Sequence, residues 1–401
     1  MSTILAIAPF YPMFDRAAGD FRLYTLLKIL AGKHDVTFHP YHLERQRQLY
    51  GATEMQRYGE RLSALGIKLW DREWYRIIKS QSFDVVLFEF YYAAQMHLRN
   101  IRIWQPGAHT VIDTVDVHFK RLFSKAHITG EVADLRAANE MKDAELAIYR
   151  NADLVVAVTA SDREALLNEA PNLDVRIIPT IHSAPDCVSK GEARKDLHSL
   201  IFVGNFNHEP NVDGILYFCR EILPSIRKAV SDVRLKIVGN EPPEAVRSLA
   251  CEFIEVTGYV PDLTPYLLSS VASIAPLRFG AGMNGKIGEA MSYGLPVVTT
   301  SVGMEGFRLT PGENVLVADT PDEFSTAVIR LIQDRELSQH ISANGRKFIE
   351  ETFSEAAVAE DVYDCFDHLK TCSVKKLPQH EFLKIRVSDY LDRHLLWRFK
   401  H

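Results

Sequence analysis

Residues 273–300 read SIAPLRFGAGMNGKIGEAMSYGLPVVTT, an apolar strand pattern that runs through a glycine-rich turn into a helical pattern. The turn contains Gly280, Gly282 and Gly285, and the helix is predicted to begin near Asn284. Glycines let backbone N–H groups approach an anion closely, and the start of a helix adds unsatisfied donors and the positive end of its dipole. We therefore predict that this strand, turn and helix bind a diphosphate group.

Charged side chains accompany the turn. Arg278 precedes it and Lys286 lies in the first helical turn, so both are predicted to bring positive charge to the same anion. Glu289 lies three residues after Lys286 on the same helix face, where its carboxylate can accept hydrogen bonds from two ribose hydroxyls. An ordinary strand, loop and helix with an exposed Lys–Glu pair is the alternative that the residues leave open.

Short apolar runs alternate with longer helical patterns along the whole chain. This alternation is typical of parallel sheets covered by helices, so the predicted fold class is α/β. The predicted strands are residues 4–8, 35–38, 85–88, 111–113, 154–158 and 175–178 in the first half, and 200–203, 235–238, 254–256, 272–275, 297–299 and 315–316 in the second. Helices are predicted over residues 22–31 and 132–149, among others.

The chain divides into two predicted domains. Residues 183–198 lose the apolar periodicity and gather Pro, Gly, Ser and charge, which indicates a linker. We predict an N-terminal Rossmann-like, acceptor-side domain over 1–182, a C-terminal Rossmann-like, donor-binding domain over 199–370, and a basic amphipathic tail over 371–401. Two such sheets form a cleft at the carboxyl ends of their strands, where ligands bind in these folds.

Composition excludes several classes of protein. The 401 residues carry a net charge of −6, which argues against a nucleic-acid partner. No long apolar run suggests a membrane span, and the chain starts directly with a strand pattern, so we expect a cytoplasmic protein. The five cysteines show neither CxxC nor an evident Cys/His spacing, so we predict no disulfide framework and no zinc site.

The helix and strand after the glycine turn carry a family resemblance. Residues 285–291, GKIGEAM, followed by 294–298, GLPVV, resemble the donor-binding signature of the family 4 glycosyltransferases, retaining enzymes of the GT-B fold. Supporting matches are residues 202–204, 237–239, 258–263 and 311–314, and they occur in the same order as in that family. The resemblance extends to about residue 370 and implies two Rossmann-like domains whose parallel sheets face a central cleft.

The resemblance also implies roles for individual residues. Glu289 corresponds to the glutamate that holds the donor ribose, and Arg278 with Lys286 to the basic pair on the diphosphate. The other residues that we assign to the donor site are Gly19, Gly204, Asn205, Tyr259, Val260, Gly280, Gly282, Met283, Asn284 and Gly285. The sequence departs from the family pattern at Ala281, where many members have a second glutamate, and residues 204–211 lack a basic residue.

Candidate residues in the N-terminal half follow two apolar strands. Asp116 and His118 come after residues 111–113, and we predict that His118 contacts the donor sugar while Asp116 orients it or receives the acceptor proton. Glu89 follows residues 85–88 and precedes three aromatic residues, which suits an acceptor sugar, although plain aromatic packing is the alternative. Arg22, at the end of a glycine-containing loop, is the second candidate for acceptor binding.

These assignments predict a retaining transfer of sugar from a nucleoside-diphosphate sugar to a hydroxyl of a glycan or lipid-linked acceptor, in bacterial surface polysaccharide or glycoconjugate assembly. Catalysis is assigned to His118, Asp116, Arg278 and Lys286. Basic residues occupy the place of a DxD metal dyad, so we expect no metal or other cofactor. A UDP-sugar 2-epimerase and a non-catalytic accessory subunit of GT-B type are the alternatives.

The charge of the C-terminal tail differs from that of the rest of the chain. Residues 373–401 contain seven basic and three acidic residues, mixed with leucines and aromatic side chains. This pattern indicates contact with the inner face of the plasma membrane or with a partner protein, and a helix packed on the domain is the equal alternative.

Overall fold

The computed structural model describes residues 1–183 and 198–376. Two parallel sheets organise these residues, with strand orders β3-β2-β1-β4-β5-β6-β7 and β10-β9-β8-β11-β12-β13. The strands of the first sheet are β1 Thr3–Ala8, β2 Asp35–Pro40, β3 Lys68–Leu69, β4 Val85–Glu89, β5 His109–Asp113, β6 Leu154–Ala157 and β7 Val175–Ile177. Those of the second are β8 Ser199–Val203, β9 Arg234–Val238, β10 Ile254–Gly258, β11 Ala272–Ala275, β12 Val297–Thr299 and β13 Leu316–Val317.

Helices cover both faces of each sheet. In the first half they are α1 Ala18–Ala31, α2 Leu43–Tyr50, α3 Ala52–Ala64, α4 Trp74–Ser80, α5 Tyr91–Trp104, α6 His118–Thr129, α7 Val132–Tyr149 and α8 Ala160–Glu169. In the second half they are α9 Glu209–Tyr217, α10 Leu223–Ala229, α11 Glu244–Arg247, α12 Thr264–Leu268, α13 Gly285–Ser292, α14 Pro321–Gln333, α15 Arg335–Thr352 and α16 Glu355–Leu369, with a π-helical turn Phe218–Ile222 between α9 and α10.

The predicted α/β architecture of two parallel sheets is confirmed. The twelve predicted strands are found with ends that move by at most two residues, and β3 was not predicted because its two residues are too few to show a pattern. The predicted start of the first helix, at residue 22, was wrong. The helix begins at Ala18, so Gly19 and Arg22 are helical rather than part of a loop.

Helix α16 returns to the first half of the molecule. Its apolar residues Val358, Val362 and Phe366 lie in the same buried cluster as Ile4 of β1 and Leu26 of α1. The predicted second domain, 199–370, therefore ends in a helix that packs on the first sheet. The exact predicted domain limits stay predictions, because most of the linker, residues 184–197, and most of the tail, residues 377–401, lie outside the described residues.

None of the helices that the structure describes is long and apolar enough to cross a membrane.

Candidate functional site

The carboxyl ends of the central strands form the floor of the site. In both sheets the strand order reverses beside the first strand, between β1 and β4 and between β8 and β11. Loops diverge at such a reversal and leave a crevice that binds ligands. The glycine turn after β11 and the residues after β4 and β5 all start at these ends, as the sequence predicted.

The glycine turn lies directly against the first half of the molecule. A Cβ atom at Gly285 would come within 2.3 Å of the Ala18 Cβ, and one at Gly282 within 3.4 Å of the Val115 carbonyl oxygen. Gly282 also has a φ of +72°, a conformation that disfavours other residues. Both glycines are therefore needed for the close approach of α13 to the start of α1 and to the loop after β5.

The amino end of α13 is not capped by a side chain. Asn284 occupies the N-cap position, but its amide group donates to the carbonyl of Gly303 at 2.8 Å instead of capping the helix. The first N–H groups of a helix have no partner within the helix. The Ile287 N–H donates to the Asn284 carbonyl at 2.9 Å, so the N–H groups of Gly285 and Lys286 are the ones available to an anion that lies on the glycine turn.

The ammonium group of Lys286 forms a hydrogen bond with an amide side chain, and no acidic side chain among the described residues pairs with it. Its ammonium group donates to Asn211 Oδ1, and Asn211 in turn donates to the carbonyl of Asn205 at 2.7 Å. Burial lowers the pKa of Lys286 to about 7. Asn211 is therefore a positioning residue for Lys286. It was not predicted in that role, and it is not the cap of α9, whose N-cap residue is His208.

Glu289 shares the face of α13 with Lys286. Burial raises the pKa of its carboxyl group to about 7, and no described residue forms a hydrogen bond or ion pair with that group. A carboxyl group that is desolvated and unpaired costs free energy in the free protein, and ribose hydroxyls can remove that cost by donating to it. Its position fits the role that the sequence predicted.

Arg278 is directed toward α9. Its guanidinium group makes an ion pair with Asp213 through two nitrogens and lies 5.1 Å from the centre of the Tyr217 ring. Asp213 neutralises this arginine in the structure, whereas Lys286 has no acidic partner among the described residues. The diphosphate role of Arg278 stays a prediction that requires phosphate to replace Asp213.

The other predicted donor residues lie on the loops that follow β8, β10 and β11. Gly204 follows β8 and donates its N–H to the Val238 carbonyl at 3.0 Å, while the Asn205 side chain accepts from the Asn207 N–H. Gly280, whose N–H reaches Ser124 Oγ at 3.5 Å, and Met283 face the first half of the molecule. Tyr259 and Val260 follow β10, and the Arg16 guanidinium covers the Tyr259 ring at 4.6 Å.

His118 is the first residue of α6 and is fixed by Glu145 of α7. Glu145, which is fully buried, accepts hydrogen bonds from the N–H and Nδ1 of His118, from the Phe119 N–H and from the Tyr149 hydroxyl. The carboxylate thereby caps α6 and orients the imidazole ring through Nδ1. The other ring nitrogen, Nε2, remains available for contacts with a ligand. Asp116 does not orient His118 as predicted. It pairs with Arg121 at 2.8 Å.

Sequence reasoning missed Glu145 and His208. The sequence does contain a signal that Glu145 is buried. It lies seven residues after Ala138 and four before Tyr149, on the buried face of a helix that was itself predicted. His208 lies in the cleft, where burial and the charges of Arg121 and Lys286 lower its pKa to about 4. Nothing in the local sequence distinguishes His208 from the other fourteen histidines.

Glu89 ends β4 and is 6% exposed. Burial and the nearby carboxylates of Asp20 and Asp113 raise its pKa well above the usual value, and no described residue hydrogen-bonds to it. The next residue, Phe90, has a φ of +67° and stacks on Tyr92 with ring centres 5.0 Å apart. Backbone strain of this kind concentrates at functional sites, and the acceptor role of Glu89 stays a prediction.

Arg22 cannot contact an acceptor in this structure. It is 1% exposed and its guanidinium group is occupied by Asp113 and by the carbonyls of Ile178 and Pro179. The prediction of an acceptor contact was wrong because α1 begins four residues earlier than expected and turns Arg22 into the core. Gly19 lies in the first turn of α1, where an added Cβ atom would come within 3.9 Å of Val115 Cγ1.

Two lysines of α6 connect the halves across the cleft. Lys120 bridges Asp162 at 2.9 Å and Glu305 at 2.6 Å, and Ser161 donates to the same Glu305 oxygen. Lys125 pairs with Glu209 at the start of α9 at 2.8 Å. These contacts join the loop after β12 and the start of α9 to α6, so His118 and the α13 turn are held in one cleft.

Known proteins share this architecture. Residues 198–334 match the family model described as glycosyl transferases group 1. The sucrose-phosphate synthase of Thermosynechococcus elongatus is similar with a TM-score of 0.66 and 14% identity, covering 92% of this chain and 100% of that one. HepE of Anabaena, in complex with UDP-glucose, is similar with a TM-score of 0.62 and 13% identity over 92% of this chain and 100% of that one. The fold is GT-B.

A curated relative adds a second comparison. An uncharacterized 44.6 kDa protein in the cps region of Klebsiella pneumoniae is 26% identical over 179 residues, which cover 42% of this chain and 46% of that protein. The alignment therefore spans less than half the length of the curated relative. The group 1 match and the GT-B fold support a glycosyltransferase. The region that matches the group 1 family model, residues 198–334, contains the α13 turn.

Proposed function

We propose that this protein is a retaining glycosyltransferase of family 4 type that moves a sugar from a nucleoside-diphosphate sugar to a hydroxyl of a glycan or lipid-linked acceptor. The setting that we propose is assembly of bacterial surface polysaccharide, in the cytoplasm at the inner face of the plasma membrane. The observation that carries the proposal is the pair Lys286 and Glu289, partly buried and without ion-pair partners among the described residues, on a helix that starts at a glycine turn.

The chemistry follows from what the residues of the cleft can hold. The first N–H groups of α13 and the ammonium of Lys286 would bind the diphosphate and stabilise the negative charge that develops on it when the sugar leaves. Glu289 would hold the ribose. The acceptor hydroxyl would attack from the face that the diphosphate leaves and pass its proton to a diphosphate oxygen. Basic groups thus replace a metal, and we propose that no metal is required.

The acceptor would bind on the side of the first sheet. His118 Nε2, Glu89 and the stacked rings of Phe90 and Tyr92 all lie at the carboxyl ends of β4 and β5. Sugar rings stack on aromatic faces, and carboxyl groups accept hydrogen bonds from their hydroxyls. The HepE structure, which contains UDP-glucose, supports a nucleotide-sugar donor.

A thermal-shift screen tests the donor site. We expect one of UDP, GDP, dTDP, ADP or CMP at one hundred times its Kd to stabilise the wild type by about 2.7 kcal/mol. Glu289→Gln should reduce the shift of Tm, because the amide offers the ribose one acceptor oxygen and a mismatched donor. If none of the nucleotides stabilises the protein, the accessory-subunit alternative replaces the transferase. If a nucleotide-bound sugar is converted to another nucleotide-bound sugar without release, the epimerase alternative replaces it.

Donor binding should weaken above neutral pH. The pKa of Lys286 is lowered to about 7 in the free protein, so the ammonium is present below pH 7 and is lost as the pH rises. A bound diphosphate favours the charged form, so binding takes up a proton above pH 7 and the affinity falls about tenfold per pH unit. Isothermal titration at pH 7, 8 and 9 in buffers of different ionisation enthalpy measures both effects.

The control for this prediction is Lys286→Arg, whose guanidinium stays charged across that range. We expect its nucleotide affinity to be lower than wild type at pH 7 and flat between pH 7 and 9. An equal pH dependence in both proteins would contradict the assignment of Lys286.

Glu145→Gln should lower kcat about 10²-fold by misplacing His118. The glutamine amide group would face four donors with only one acceptor oxygen, so the imidazole would lose its fixed orientation. Tyr149→Phe is the matched control, because it removes one donor to the same carboxylate but keeps both acceptor oxygens for His118 and Phe119. It should change kcat less than threefold. Equal losses in both variants, with circular dichroism unchanged, would show that His118 is not the group affected.

A further inference from the structure

The turn after α16 brings a histidine, a cysteine and an aspartate together on the surface of the first half. His368 lies in the last turn of α16, Cys372 lies four residues later, and Asp174 directly precedes β7. Their ligand atoms lie close together. The distances are 2.7 Å from His368 Nε2 to Asp174 Oδ2, 3.4 Å from His368 Nε2 to Cys372 Sγ, and 4.0 Å from Cys372 Sγ to Asp174 Oδ2.

We propose that Asp174, His368 and Cys372 form a binding site for a zinc-type divalent cation. Tetrahedral zinc, with bonds of about 2.0–2.3 Å to N, O and S, places its ligand atoms about 3.3–3.6 Å apart. The three observed distances bracket this range, so movements of about half an ångström within three side chains would complete the geometry. The ligand set of one thiolate, one imidazole and one carboxylate is among those that zinc prefers.

The arrangement differs from a catalytic relay. In a Cys–His–Asp relay the thiol and the carboxylate contact different nitrogens of the imidazole ring. Here both contact the same nitrogen, Nε2, so the three groups converge on one point. Convergence on a point is what a shared cation requires.

The cluster borders a cavity on the side of Asp174. A cavity of about 500 Å³ opens beside Asp174, and its wall includes the carboxylates Asp361 and Asp364 and the guanidinium groups of Arg163 and Arg176. With Asp174 the cavity wall has three carboxylates and two guanidinium groups, which suits a cation. All three ligands are partly exposed, so a water molecule would occupy the open position.

The site would fasten the segment after α16 to the first domain. Asp174 comes from the first half of the chain, whereas His368 and Cys372 follow the helix that returns from the second half. A cation shared by them adds a link between α16 and the turn before β7 and raises the stability of that contact. It would lie apart from the α13 turn, so it supplies no chemistry to the transfer reaction.

Cobalt substitution tests the site on the full chain. Reduced protein, freed of metal by a chelator, should bind one Co²⁺ with the near-ultraviolet charge-transfer band of a cobalt–thiolate bond, and Zn²⁺ should remove that band. Cys372→Ser should abolish the band, and Cys251→Ser, which alters an exposed free thiol elsewhere, should leave it unchanged. Asp174→Asn should weaken Co²⁺ binding at least tenfold while keeping the thiol.

Two results would overturn the proposal. Absence of the band in the wild type, or the same band in Cys372→Ser, would show that these three residues do not bind the cation. Circular dichroism of each variant serves as the check that it is folded. As a second measurement, Zn²⁺ should raise the Tm of the wild type and of Cys251→Ser but not that of Cys372→Ser.

Discussion

Lys286→Met is expected to abolish stabilisation by the cognate nucleoside diphosphate and to lower kcat/KM about 10³-fold. The ammonium of Lys286 is the cation of the α13 turn that has no acidic partner among the described residues, and its hydrogen bond to Asn211 directs it toward the end of β8. Without it the developing charge on the leaving diphosphate would rely on the N–H groups of α13. Thermal shift with nucleotide and steady-state kinetics measure the two losses.

The same variant separates lost binding from lost folding. Methionine has nearly the volume of lysine and carries no charge. The charged form of Lys286 is unfavourable where it is buried, because burial lowers its pKa to about 7. We therefore expect the nucleotide-free variant to be more stable than the wild type, by about 1 kcal/mol. Lys347→Met, on an exposed face of α15, is the control and should change neither property. A Lys286→Met protein that binds nucleotide with wild-type affinity would disprove the donor site.

The location of the donor site could be predicted because its signals are local. Glycines, the charged residues and the helix start fall within about fifteen residues, and their spacing alone places Lys286 and Glu289 on one face of a helix. The strand before the turn, β11, could be predicted for the same reason, because a four-residue apolar run shows its buried character directly in the sequence.

The partners of these residues could not be predicted because they come from distant segments. Asn211 lies 75 residues from Lys286, and Asp213 lies 65 residues from Arg278. Which acceptor a long basic side chain selects depends on how two helices pack, and a single sequence does not contain that information. For this reason the sequence placed Arg278 on the diphosphate, whereas the structure pairs it with α9.

Helix α16 illustrates the same limit at the scale of the fold. Its apolar periodicity predicts a helix with one buried face, but not which sheet that face covers. The structure packs it on α1 and the first sheet, with Lys28 paired to Glu355 at 2.7 Å. The proximity of His368 and Cys372 to Asp174 is a consequence of this return, which explains why spacing in the sequence gave no indication of a metal site.

Arg22→Met is expected to destabilise the protein by about 3–5 kcal/mol. The arginine and Asp113 form an ion pair in which each side chain is at most 2% exposed, and the same guanidinium donates to the carbonyls of Ile178 and Pro179. Removing it leaves the buried Asp113 carboxylate with the long 3.4 Å hydrogen bond from the Val115 N–H, and the carbonyls of Ile178 and Pro179 lose the donors that Arg22 supplies. Each of these groups is costly to bury without a partner. Urea unfolding followed by circular dichroism measures the loss.

Arg22→Lys distinguishes a structural role from acceptor binding. Lysine keeps the charge next to Asp113 but cannot reach all three acceptors, so this variant should lose less stability than Arg22→Met and remain folded at assay temperature. We expect its KM for the acceptor to equal that of the wild type, because Arg22 lies beneath the cleft floor and ties α1 to β5 and to the segment after β7. A folded Arg22→Lys protein whose acceptor KM rises tenfold, with the donor KM unchanged, would return Arg22 to the acceptor site.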